Sequence, residues 1–141
     1  MDNRVIAAYQ QLGFKLVVDP SVNYSGYFDA RSRSITMKQI DDSVYHELGH
    51  FLAFIAGNVD KTASFQSIFA AEKANVTAFN KAYVTQNASE YFAESVKDYI
   101  LNNASLKSSR PQTYAAVQNA LNQITDAQIA KIQKIYGAFW N

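Results

Sequence analysis

The sequence contains no cysteine and only two histidines. Without cysteine there are no disulfides and no thiolate ligands, so any metal must be held by His, Asp, Glu or water. The same absence is compatible with an exported chain but does not require one. Two histidines exclude a three-histidine metal site. No apolar run approaches the roughly 18 residues of a membrane span. Charge of one sign is also missing: thirteen basic and twelve acidic residues leave a net charge of +1. The basic residues are scattered, and the small group Arg31, Arg33 and Lys38 reads as a solvated strand face, which argues against nucleic acid as a partner. The opening stretch "MDNRVIAAYQQLG" is amphipathic and has no apolar signal core. The expectation is a cytosolic chain, or a mature segment whose signal was replaced by Met1.

What is present suits one domain over residues 1–141. The chain is 48% hydrophobic and 13% aromatic, enough for one core. Linkers, low-complexity tracts and repeats are absent. A helix is expected over 3–12, ended by Gly13. "FKLVVD" reads as a short strand stopped by Pro20. "NYSGYFDA" and "SITMK" read as two strands joined by a turn around Asp29–Arg33, the second alternating Ile35 and Met37 with polar neighbours. The pattern then turns helical: 42–56 between Asp41 or Asp42 and Gly57, then 62–82, then 88–103. Pro111 starts a helix to about 122, and Thr125 starts the last one. A small N-terminal sheet followed by a helical body is an α+β arrangement.

Both histidines lie in "VYHELGHFLAF", four residues apart, with Glu47 after the first. This is H-E-x-x-H. On a helix, residues four apart share a face, so His46 and His50 can reach one zinc ion. Glu47 is turned about 100° from His46, beside the metal, where it can hold a water. The bland alternative is a buried helix with two incidental histidines. Two imidazoles and a carboxylate on so apolar a helix are costly unless something pairs them, and zinc pairs them.

A catalytic zinc keeps three protein ligands and one open place. The third must be a carboxylate. Glu72 and Glu90 are the main candidates; Asp60 and Asp98 have no second feature in support. Glu90 and Glu94 are four apart, and two exposed carboxylates so placed would mildly repel. They make sense if Glu90 binds the metal and Glu94 accepts the free N–H of a ligating ring. A solvated acidic stripe is the alternative, opposed by the aromatic flanks Tyr91 and Phe92.

"HELGH" followed by "EYFAE" resembles the lethal-factor-type zinc peptidases, a family that includes the Pro-Pro endopeptidases. The specific motifs cover Val44–Phe51 and Tyr83–Glu94, and the resemblance runs from about Gly26 to Tyr136. It implies a zincin-like α+β fold and one zinc ion on His46, His50 and Glu90. It implies that Glu94 orients a ligand, that Glu47 acts as base, and that Tyr83, seven residues before Glu90, stabilises the oxyanion. A protein or peptide substrate, a monomer and a secreted enzyme are implied with it. A second stretch, "AEKANVTAF", resembles the glutamate helix of ImmA/IrrE-type intracellular peptidases, which would make Glu72 the third ligand. A third possibility is a zinc-binding toxin or docking domain without catalysis. Glu47 argues against that last reading, because a structural zinc site has no use for a base.

The expected chemistry is hydrolysis of a peptide bond, with Glu47 moving the proton and Tyr83 facing the oxyanion. Ile35, Thr36 and Met37, just before the zinc helix, are expected to offer an edge strand on which an extended substrate pairs. Tyr24, Tyr27 and Phe28 are candidates for the cleft wall.

Overall fold

Two glycines set the first boundaries. In the computed structural model, which describes residues 2–140, helix α1 (Asn3–Gln11) starts at Asp2, whose carboxylate accepts from the Arg4 N–H. It ends with Gly13 at φ +80°, where Gly13 N–H returns to Gln10 and Phe14 N–H to Tyr9. This closure needs a left-handed residue, which glycine supplies without strain. The helix of the two histidines, α2 (Ser43–Ile55), ends the same way: Gly57 lies at φ +81° and Asn58 N–H returns to Ala53.

Between these helices lie β1 (Lys15–Val18), β2 (Gly26–Asp29) and β3 (Ser34–Met37), in the spatial order β1-β3-β2. β3 pairs parallel with β1 and antiparallel with β2. This corrects one expectation. Ile35, Thr36 and Met37 are not on an edge strand. Their backbone groups are used on both sides, and Ile35 and Met37 are core residues at 1% and 0% exposure. The strand with a free edge beside α2 is β2. Alternation tells which face of a strand is wet; it does not tell which strand is central.

Against this sheet packs α2, with an aromatic cluster between them. Phe14 contacts Phe28, Phe51, Phe54 and Trp140 at centroid separations of 4.9–6.3 Å. Each such buried ring stabilises the fold by about 1.5–3 kcal/mol. On its other side α2 lies along α5 (Ala88–Leu101). They meet at Gly49, where a Cβ would stand 2.6 Å from the Ala93 carbonyl oxygen.

The helical body departs from expectation in two places. The span 62–82 is not one helix. It divides into α3 (Ala63–Glu72), a 3-10 turn at Lys73–Asn75, an extended Val76 and the short α4 (Lys81–Val84). Val76 is drawn into the core at 5% exposure, and the Lys81 ammonium holds the break by bonding the Ala74 carbonyl. Beyond α5, Asn103–Ser109 forms an extra helix, α6, before α7 (Pro111–Asn122) and α8 (Asp126–Trp140). Thr125 caps α8 through the Gln128 N–H, and Pro111 opens α7. The architecture is α+β, with helices predominant. No helix among the described residues is long and apolar enough to cross a membrane.

Candidate metal centre

The site is assembled where α2 crosses α5. His46 and His50 leave α2 one turn apart, with ring centroids 5.0 Å from each other. Glu90 lies in the first turn of α5. Its own backbone N–H is bound by the side chain of Asn87, the helix N-cap, at 2.8 Å, so the cap that starts the helix also fixes the carboxylate. His46 Nε2 lies 2.9 Å from one Glu90 oxygen and His50 Nε2 3.1 Å from the other. Among the described residues, His46, His50 and Glu90 are the group whose ligand atoms all fall within 4.8 Å of one another. A tetrahedral zinc with bonds of ~2.0–2.2 Å spaces its ligand atoms roughly 3.3–3.6 Å apart. The donor types fit such an ion, and the spacings here, 2.9 and 3.1 Å to Glu90 with all ligand atoms within 4.8 Å, bracket that range.

Glu94, one turn along α5, accepts from His46 Nδ1 at 2.8 Å. It therefore orients the ring from behind, as a carboxylate behind a metal-bound imidazole does. With both ring nitrogens on carboxylates, the metal-free ring is a doubly protonated imidazolium. Burial works against that charge, but Glu90 and Glu94 outweigh it and raise His46 to about 9. Burial would also raise Glu90; the hydrogen bonds from His46 and His50 outweigh it and hold this carboxyl well below the usual range. Glu94 is lowered too, burial again being outweighed by its bond from His46.

Glu47 is buried, and burial raises its carboxyl above the ordinary value against the pull of His46 and His50. Its seat depends on Gly26: a Cβ there would lie 2.9 Å from Glu47 Cγ. A glycine inside a strand marks a close approach, and that signal was present in "YSGYF". Tyr83, on α4, stands on the opposite wall with its ring 6.4 Å from His46 and remains half exposed. Burial, then the nearby carboxylates led by Glu90, push its hydroxyl up to about 12. Tyr24, Gly26, Glu47 and Tyr83 line a cleft of about 350 Å³, and the cleft opens past Lys97 into a polar cavity of about 510 Å³. Tyr24 and Tyr27 touch each other at the rim, whereas Phe28 stacks against His50.

The other candidates fall elsewhere. Glu72 accepts from the N–H groups of Gln112 and Thr113 and from the Thr113 hydroxyl, at 3.1, 2.8 and 2.7 Å. It serves as the cap of α7, which has no side-chain cap of its own. Asp98 pairs with the buried Arg110 at 2.5 Å. Asp60 is buried on a 3-10 turn, outside the His46–His50–Glu90 group.

An α+β chain with a His2Glu donor set at a helix crossing is what fold and site define. Residues 22–120 match the family model described as anthrax toxin lethal factor, N- and C-terminal domain. That is more than half of the chain, and the chain belongs to this family. It is also 41% identical over 78 residues to a Pro-Pro endopeptidase of Clostridioides difficile (strain 630), a match covering 52% of this chain and 34% of that protein. The chain thus spans about a third of the length of that relative.

Proposed function

We propose that the chain is a zinc-dependent endopeptidase with a zincin-like active site. The observation that carries this is the convergence of His46, His50 and Glu90, with ligand atoms within 4.8 Å of one another, beside a cleft lined by His46, Glu47 and Tyr83. Zinc, when bound, supplies Lewis acidity that makes water nucleophilic near neutral pH and polarises a carbonyl. The chain's own residues do the rest. His46, His50 and Glu90 hold the ion, and Glu94 fixes the His46 ring. Glu47 takes the proton of the attacking water and returns it to the leaving amine. Its raised pKa makes it a better acceptor. Tyr83, kept protonated by a pKa of about 12, donates a hydrogen bond to the carbonyl oxygen as charge develops there. The free edge of β2, next to Glu47, takes an extended peptide by strand addition. No covalent intermediate on the protein is required.

Zinc titration of Glu90→Ala and Glu72→Ala tests the ligand set. Loss of binding in the first, with retention in the second, is expected; the reverse would replace this site by one centred on Glu72. A peptide-library digest comparing wild type with Glu47→Ala tests catalysis. The relative's name makes peptides with a Pro-Pro bond the first to try. No cleavage of any peptide by zinc-loaded wild type would turn the reading into a zinc-binding docking domain.

A further inference from the structure

Among the described residues Asp60 is a buried carboxylate, 5% exposed, that forms no ion pair and has no role in the chemistry above. No sealed side-chain oxygen lacks a hydrogen-bond partner, so its carboxylate is open to the cavity beside it. Asp60 lines a cavity of about 170 Å³ that opens directly beside His50, on the side of the metal centre away from Tyr83. The wall also includes Phe28, Phe54, Asn58, Ser89 and Lys61. Two aromatic faces leading to one buried anion form a receptor for a side chain with an apolar stem and a cationic head. Lys61 is exposed and makes no ion pair with Asp60, so its ammonium stays in water at the rim.

We propose that this cavity is a substrate subsite for a lysine or arginine side chain flanking the scissile bond, with Asp60 as the residue that reads its charge. The inference rests on the peptidase reading of the neighbouring centre. The peptide lies along β2 and the metal, and the basic side chain turns down past His50. Its stem covers Phe28 and Phe54, and its head reaches Asp60. The N-terminus of α5, at Ser89, offers Asp60 a weaker, purely structural partner. Only the ligand reading makes Asp60 matter to some peptides and not to others.

The test uses zinc-loaded protein and matched peptides with lysine or the uncharged isostere norleucine at each position around the bond. Wild type is expected to favour lysine at one position by at least about tenfold in kcat/KM. Asp60→Asn should abolish that preference, leave norleucine peptides and zinc affinity unchanged, and Lys61→Gln should strengthen it. Equal cleavage of both peptide sets overturns the subsite and leaves the peptidase reading intact. Slower cleavage of all peptides with weakened zinc binding in Asp60→Asn overturns it in favour of a residue that positions His50. If wild type cleaves nothing, the same peptides are titrated against zinc-loaded Glu47→Gln. Lysine-selective binding that depends on Asp60 then supports the subsite and refutes the enzyme; no selectivity refutes both.

Discussion

Gly49→Ala is the perturbation that tests how the two halves of the site are joined. The added Cβ would lie 2.6 Å from the Ala93 oxygen, 2.7 Å from its Cα and 3.1 Å from its carbonyl carbon. All three are backbone atoms, so no rotamer relieves the contact. Restoring an ordinary separation of 3.4 Å moves α5 away from α2 by roughly 0.8 Å. Metal–ligand distances tolerate about ±0.2 Å, and His46 and His50 ride on one helix while Glu90 rides on the other. The overpacking itself destabilises by about 1–3 kcal/mol. Zinc affinity, measured by competition with a chelator at a temperature where the variant is folded, should fall by at least the ten- to hundredfold seen when supporting contacts of a metal site are lost. The d–d spectrum of the cobalt-substituted protein should change with it. A variant that binds zinc as wild type does, with an unchanged cobalt spectrum, would refute the claim that this contact sets the ligand geometry.

Three further outcomes follow from the same contacts. Glu94→Ala should weaken zinc binding by about ten- to a hundredfold, since the His46 ring loses its orienting carboxylate; chelator competition measures it. Glu72→Gln should lower unfolding free energy by about 1–3 kcal/mol, through the α7 N–H groups it caps, and leave zinc affinity unchanged; denaturant titration and zinc titration together check both halves. For the metal-free protein the sign is set by His46, whose folded value of about 9 lies above the ordinary histidine value of 6.5. Its contribution to stability is full below about 6.5 and is lost as pH rises through about 9. Zinc displaces the Nε2 proton, so affinity should rise with pH over that window. Unfolding and zinc titrations across pH 6–10 that show no such slopes would contradict the His46 environment described above.

Much of the site was legible as residue types and spacings. The i, i+4 pairs His46–His50 and Glu90–Glu94 each place two side chains on one helix face, because helix geometry is local. The caps were readable for the same reason: Gly13, Gly57, Pro111 and Thr125 act within a few residues of themselves. The break at residues 73–80 was not readable. Burial of Val76 and the Lys81 bond to Ala74 are tertiary effects that override a continuous helical pattern. The role of Glu72 was likewise hidden, since its partners lie about forty residues away, at Gln112 and Thr113.

The sequence by itself determined the donor inventory and the two half-sites. Absence of cysteine and of a third histidine forced a carboxylate into any three-ligand set, and helical periodicity put each pair on one face. Only the tertiary structure decided that the halves meet, that Glu90 rather than Glu72 stands beside the two histidines, and that β2 rather than β3 carries the free edge. Local pattern reports the direction of a side chain relative to its own backbone. Which helix crosses which, and which strand is flanked on both sides, depends on long-range packing: here, on a glycine narrow enough to let α2 touch the backbone of Ala93.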